Sequence, residues 1–254
     1  MLSCAGLTVR FGGLVALNGL SLEVREGEVL GLIGPNGSGK TTFFNALTGI
    51  YRPAAGRISF RGKDITGSRP QAVYDTGVAR TFQRSRLCLE LSVFDNLMIG
   101  NHRNLNLSPV FNLLRRRAFA AQLDEHLERA AALLRRFHPD LPARIYQPAG
   151  ALGMIDRRRV EVCRALMSEP TLLLLDEPSA GMTHDETREL MEDILAVKAR
   201  LPGLSVVLIE HEMGVIERVT ERCAVLNFGE KICEGTYAQV AADRAVQEAY
   251  LGTD

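Results

Sequence analysis

The chain has 254 residues, 46% of them apolar and none tryptophan, which suits one α/β domain with an attached subdomain. Lys+Arg and Asp+Glu are equal at 30 each, so there is no electrostatic case for nucleic acid or anionic lipid as the main partner. The start, Met1–Gly13, has no charged segment followed by a long apolar run, so no secretory signal is expected. The longest apolar runs, such as Leu172–Leu175 and Val206–Ile209, are far short of the roughly 20 residues that cross a bilayer, so any membrane role has to come through another subunit.

In chain order, Leu20, Leu22 and Val24 alternate with Ser21, Glu23 and Arg25, the pattern of an antiparallel strand with one wet face. Val29–Ile33 is apolar throughout, as in a strand buried on both faces. A glycine-rich loop follows, then a helix from about Lys40 that stops at Gly49, and a strand at Arg57–Phe60 with a turn at Gly62. From about Arg84 to Met167 helix replaces strand: Ala118–Phe137 carries Leu123, Leu127 and Leu134 at helical spacing and ends at His138-Pro139. Alternation then returns with a strand at Thr171–Leu175, a helix at Asp185–Arg200, a strand at Ser205–Ile209, a helix at Met213–Val219, and a strand at Ala224–Phe228 that turns at Gly229 into a last short strand. Alternating strands and helices imply a mostly parallel sheet. The expected architecture is a single domain: a nucleotide-binding α/β core of residues 1–83 and 168–254, with an inserted helical subdomain at 84–167.

Arg115–Arg117 reads as a solvated helix face, and Arg157–Arg159 is likewise a local cluster. Cys4, Cys88, Cys163, Cys223 and Cys233 are odd in number and contain no C-x-x-C pair, so they read as free, buried thiols in a reducing cytosol.

Gly34-Pro35-Asn36-Gly37-Ser38-Gly39-Lys40-Thr41 fits G-x-x-x-x-G-K-[ST], with a buried strand before it and a helix after. Glycines let backbone N–H groups close around phosphate oxygens, and the helix from Lys40 turns its positive end toward the anion. Lys40 is placed to reach the β- and γ-phosphates, and the Thr41 hydroxyl is the expected Mg²⁺ ligand. Leu172–Pro178 is an apolar strand ending in two carboxylates, and the carboxyl edge of such a sheet is where ligands sit. Asp176 can hold Mg²⁺ directly or through water, and Glu177 can act as general base on an attacking water. Alone, an Asp-Glu at a strand end is a weak signal; paired with the loop it is a strong one. His211 follows the strand Ser205–Ile209; a lone histidine there is ordinarily structural, but beside a phosphate loop it can sense the γ-phosphate.

The order Phe11, Gly34–Thr42, Gln83, Arg157–Arg164, Leu172–Pro178, Ser179–Met182 and His211 resembles the ATP-binding subunits of ABC transporters over essentially the whole chain. Arg10–Leu14, Arg80–Gln83, Ile209–Met213, Ala249–Gly252 and the long stretch Leu97–Leu114 are similar to subunits that power bacterial branched-chain amino acid importers. The resemblance implies a P-loop NTPase (RecA-like) core with an antiparallel β subdomain and the helical insertion. It also implies ATP and Mg²⁺ as ligands and an adenine-stacking role for Phe11, a residue type that on a strand is otherwise core. Gln83 is implied as a contact to Mg²⁺ and the attacking water and as a hinge, and Ser179–Met182 as a loop that crosses to a second ATPase subunit. Thr42 and the rest of the loop would complete the nucleotide site. The implied partners are that second subunit, integral membrane permease subunits with a short helix entering a groove near Gln83, and indirectly a periplasmic substrate-binding protein, with no nucleic acid. The implied place is the cytoplasmic face of the inner membrane, held peripherally.

The family's L-S-G-G-Q signature aligns with Leu152-Gly153-Met154-Ile155-Asp156, where only the leucine is kept. Gly153 has no hydroxyl, Met154 and Ile155 put bulk where backbone should approach phosphate, and Asp156 adds a carboxylate beside a polyanion. The expectation is an asymmetric heterodimer in which this chain's signature forms a degenerate composite site. The alternatives are an inactive paralogue, or an ATP-binding regulatory or scaffold subunit. Met182-Thr183 also departs from the more usual Leu-Asp or Leu-Asn.

Overall fold

The computed structural model describes residues 1–83, 85–106, 108 and 114–251. The part of Leu97–Leu114 at 107 and 109–113 lies outside the described residues, as do Arg84 and Gly252. The chain divides into two compact units, one of Met1–Arg80, Thr171–Glu177 and Pro202–Asp254, the other of Thr81–Pro170 and Pro178–Leu201.

The first unit holds two sheets. β1 (Leu2–Phe11), β2 (Leu14–Val24), β4 (Ala55–Phe60) and β5 (Lys63–Asp64) form an antiparallel sheet in the order β2-β1-β4-β5. The alternation in β2 is real: Leu20, Leu22 and Val24 are buried while Ser21 and Glu23 face out. The second sheet runs β10-β9-β3-β8-β7-β6, from β10 (Glu230–Gly235), β9 (Arg222–Asn227), β3 (Val29–Ile33), β8 (Ser205–Ile209), β7 (Leu172–Asp176) and β6 (Val78–Arg80). All its pairings are parallel except β9 with β10. Strands β3, β7 and β8 are buried at every residue, so continuous apolar runs, not alternation, mark the sheet centre. Because they are parallel, their carboxyl ends share one edge: Asp176 of β7 pairs with Ile209 of β8. One core of buried side chains, among them Leu7, Leu17, Phe43, Phe44, Leu172 and Val207, joins both sheets to α1 (Lys40–Leu47).

The helices α2 (Pro70–Asp75), α7 (Met213–Val219), α8 (Tyr237–Ala242) and α9 (Arg244–Leu251) belong to this unit. The second unit contains α3 (Val93–Gly100), α4 (Arg116–Phe137), α5 (Met154–Leu166) and α6 (His184–Ala199). Its grouping of 178–201 with the helices differs from the expected split at 83 and 168. A set of ion pairs joins the two within this unit: the buried Arg159 on α5 donates to Glu189 at 2.5 Å and Asp193 at 2.8 Å on α6.

Two expectations are corrected. The strand expected at Ala224–Phe228 ends at Asn227, and Phe228 is a turn residue. Cys88 is exposed and Cys233 only half-buried, whereas Cys4, Cys163 and Cys223 are buried; burial pushes the Cys4 thiol up to about 12, so that group is inert. The three-residue β6 lies immediately before the region read as helical. Arg115–Arg117 is exposed where α4 begins, as a solvated face should be. No described helix is long and apolar enough to cross a membrane.

Candidate functional site

The site stands on the first unit, where β3 runs out into the loop Gly34–Gly39. Gly34 has φ 146°, and a Cβ there would lie 2.0 Å from the Leu226 carbonyl oxygen, so no side chain is tolerated where the loop leaves the sheet. The loop ends at Gly39, the N-cap of α1, and no side chain caps the first amides of that helix, the groups that bind anions at a helix start. Lys40 is buried and its Nζ donates to the carbonyls of Gly34 (2.7 Å) and Pro35 (3.0 Å) and to the Ser38 hydroxyl (3.5 Å). Burial lowers its pKa below the ordinary lysine value, while Glu177 and Asp176 pull it back up. The ammonium therefore sits among partial negative charges that a triphosphate tail would replace with full ones.

The second element is the edge formed by β7 and β8. Asp176 closes β7 and is buried; Arg80 on β6 donates to its Oδ2 at 2.7 Å. Burial raises the Asp176 pKa above the ordinary aspartate range, against the opposing pull of Arg80. Arg80 also donates to Asn45 Oδ1 at 2.7 Å and lies over the Phe44 ring at 5.3 Å, which ties the carboxylate edge to α1. Glu177 follows with φ 47°, its N–H donating to the Ile209 carbonyl at 2.9 Å. That left-handed turn is uncommon for a residue with a side chain and marks a constrained position. His211 Nε2 lies 2.7 Å from Glu177 Oε1, with the carboxylate mostly buried and the imidazole half exposed.

A cavity of about 370 Å³ collects these parts: Phe11, Leu14, Val15, Ala16, the run Asn36–Thr42, Glu177, His211 and Phe228 line it. Phe11 is not core. Its ring is 44% exposed and meets Tyr51 edge-on at 4.9 Å, so a flat face is available at the cavity rim. Thr41 is exposed at the mouth and Thr42 half buried. A hydroxyl at Thr41 and a carboxylate at Asp176 are hard oxygen donors that suit Mg²⁺, and among the described residues no group of three or more His, Cys, Asp and Glu builds a protein-only metal cage. That donor supply fits a cation held chiefly by water and nucleotide phosphates.

Gln83 belongs to the second unit, where it is exposed and its carbonyl accepts from Arg158 at 3.0 Å. The same guanidinium reaches the Ala180 carbonyl at 3.3 Å and the Glu161 carboxylate at 2.8 Å, so the arginine cluster is bracing rather than solvated surface. In the same unit Gly153 caps the N-terminus of α5 without a side-chain hydrogen bond. Asp156 donates no free charge to that end: Arg144 at 3.0 Å and Arg159 at 3.1 Å take it up, so the repulsion expected of it is largely cancelled.

Sequence reasoning missed Arg80, Phe228 and Tyr250. Arg80 and Tyr250 lie in stretches that carry the family resemblance but had no role of their own, and Phe228 left a trace only as an aromatic before Gly229, where turns prefer small polar residues. Tyr250 on α9 has its phenol pKa raised by burial and lowered by a hydrogen bond with the Gly34 backbone, which brings the C-terminal helix against the start of the phosphate loop.

The ABC transporter family matches residues 17–180, and the branched-chain amino acid ATP-binding cassette transporter family matches residues 230–254. The chain is 40% identical over 252 residues to the high-affinity branched-chain amino acid transport ATP-binding protein LivG of Salmonella typhimurium, covering 99% of this chain and 98% of that one. It is 39% identical, with the same coverage, to the corresponding protein BraF of Pseudomonas aeruginosa. A crystal structure of the ADP conformation of an ATP-binding cassette from an ABC transporter superposes with a TM-score of 0.84 at 31% identity, covering 100% of this chain and 99% of that one.

Proposed function

The chain belongs to the ABC transporter family, as one of its ATP-binding subunits, and from that premise we propose how its residues divide the work of hydrolysing ATP. The carrying observation is the single cavity that joins Lys40, Thr41 and Thr42 of the phosphate loop to Glu177 and His211. The loop amides from Gly34 to Thr42 bind the phosphates, and Lys40 exchanges its bonds to the Gly34 and Pro35 carbonyls for the β- and γ-phosphate oxygens. Phe11 stacks on the adenine. Thr41 and Asp176 would hold Mg²⁺, which when bound neutralises charge on the transferring phosphoryl group. Glu177 orients and deprotonates the attacking water; His211, 2.7 Å from it, fixes the carboxylate and reads the γ-phosphate. Lys40→Ala should abolish nucleotide binding or turnover. Glu177→Gln should keep Mg-ATP binding while turnover falls by about 10²–10⁴-fold and a closed dimer accumulates on sizing columns. Turnover at the unaltered rate in Glu177→Gln would remove Glu177 as the base.

The transported substrate is a branched-chain amino acid on this reading, supported by the C-terminal family match and the two bacterial relatives. Transport requires integral membrane permease subunits and a periplasmic binding protein, with this chain held peripherally at the cytoplasmic face. The permease contact falls on the second unit, where the run 89–92 and the first residues of α3 hydrogen-bond to 145–150 and leave Leu89, Leu91 and Tyr146 exposed. Those apolar side chains, with the Phe94 ring packed on Tyr146 at 6.3 Å, suit an amphipathic helix of the partner.

The departures at Gly153, Met154 and Ile155 favour pairing with a second, different ATPase subunit that carries an intact signature. The same departures support a second reading, in which the chain binds ATP as a regulatory or scaffold subunit without turnover. A single-turnover ATPase measurement with the cognate partner separates them, since only the motor releases phosphate.

A further inference from the structure

Four described non-glycine residues adopt left-handed backbone: Arg61, Glu169, Glu177 and Phe228. Arg61 and Glu169 are exposed polar turn residues, an ordinary use of that conformation. Glu177 and Phe228 line the same cavity. Phe228 is the unexpected one. With Gly229 it forms the two-residue loop between Asn227 and Glu230, at φ 45° and 81°, the hairpin geometry that favours Asn, Asp or Gly at its first position. An aromatic ring there is disfavoured by the backbone, and it is 86% exposed, so it contributes little to the core. A residue that costs the fold on both counts is a candidate for function.

Its surroundings say which. The Gly229 N–H donates to the Ser38 carbonyl of the phosphate loop at 3.0 Å, and the Asn18 N–H donates to the Gly229 carbonyl at 3.0 Å. A Cβ on Gly229 would meet the Ala16 carbonyl oxygen at 2.7 Å, so the hairpin sits directly on β2 and on the loop. The root of the Phe228 side chain is thereby fixed against the cavity that Phe11 and Leu14 also line, both of them exposed apolar side chains at 44% and 65%. Three exposed apolar groups thus lie at a site whose other end is the phosphate loop with Lys40, Thr41, Glu177 and His211. A nucleotide has one end that matches each: a polyanionic tail for the loop, and a base with two flat apolar faces for the rim.

We propose that Phe228 is a second aromatic contact for the base end of the bound nucleotide, sharing with Phe11 the task of setting affinity for ATP. The inference rests on the nucleotide-site reading above. Phe228→Asn puts a turn-favoured residue at the same position, so it should leave the melting temperature unchanged or higher. It should weaken Mg-ATP binding by about tenfold, within the range that base–aromatic stacking supplies, while leaving the affinity for inorganic tripolyphosphate, which has no base, unaltered. Phe228→Trp should bind Mg-ATP within about twofold of the unaltered chain. Because the chain has no other tryptophan, saturating Mg-ATP should also shift or quench the fluorescence of that variant. Unaltered Mg-ATP affinity in Phe228→Asn would overturn the proposal. So would parallel loss of ATP and tripolyphosphate, which would mean a distorted loop, or an indole indifferent to bound ATP. Failure of the unaltered chain to bind Mg-ATP would bring down the nucleotide site itself; normal binding there with no effect of Phe228→Asn removes this inference alone.

Discussion

Asp176 shows at the scale of a single residue what the site costs the fold. Its carboxylate is buried at the end of an apolar strand, where it pairs with the equally buried Arg80 at 2.7 Å. A pair of this kind contributes little net stability, but removing one member strands the other charge. Arg80→Met should therefore destabilise the core unit by about 3–5 kcal/mol, read as a lower urea midpoint. Arg80→Met with Asp176→Asn should recover most of that loss, since no buried charge is left alone. The double variant should still fail in Mg²⁺-dependent ATP turnover, because an amide is a poorer ligand for a hard cation than a carboxylate. Recovery of both stability and turnover would mean that Asp176 serves only to hold Arg80.

Elements in this chain were legible where local chemistry fixes them. Ser205–Ile209 and Met213–Val219 are found at the expected bounds, because a β-branched run and the helical repeat after it need no distant information. β1 was not legible: its pairing with β2 shifts register between Cys4 and Leu7 and again before Arg10, so strict alternation is lost. β6 is three residues long, too short to show any period. The phosphate loop and the Asp-Glu strand end were legible as motifs, while Arg80 and Phe228 acquire meaning only from partners 96 residues away in one case and from the hairpin's seat on the loop in the other. The tie between α6 and α5 is of the same kind. It runs through Arg159, which is buried and held by Asp156, Glu189 and Asp193. Burial disfavours the guanidinium charge, but those carboxylates outweigh it and hold the pKa above the ordinary arginine value. Arg159→Met should loosen α6 and the start of α5 by about 3 kcal/mol. Hydrogen exchange would show this as faster exchange in 154–166 and 184–199 with the amides of β3, β7 and β8 still protected. Uniform deprotection of the six-stranded sheet would mean that these ion pairs support the whole molecule and not one unit.

For the molecule as a whole, the question is whether two copies of this chain make a working ATPase. In the family the signature supplies a hydroxyl and close backbone amides to the γ-phosphate held by the facing subunit. Here that position is the N-terminus of α5, an end that presents amides to an anion, yet Gly153 lacks the hydroxyl and Met154 is 51% exposed in front of it. The chain alone should therefore hydrolyse ATP poorly and without cooperativity. The repair is sterically open: Gly153 has ordinary backbone angles, and an added Cβ would meet nothing within 4 Å. Serine there would also cap α5, regaining a few tenths of a kcal/mol, against about 1 kcal/mol for each glycine placed in the first turn. Asp156 is best left in place because Arg144 and Arg159 depend on it. Gly153→Ser with Met154→Gly and Ile155→Gly should then raise steady-state turnover of the isolated chain by about 10²-fold, the worth of one restored donor at a developing oxyanion, and make it cooperative in ATP. Adding Glu177→Gln to that variant should abolish the gain, which ties it to the same site. Robust cooperative turnover by the unaltered chain alone would remove the asymmetric pairing, because the signature as it stands would then be sufficient.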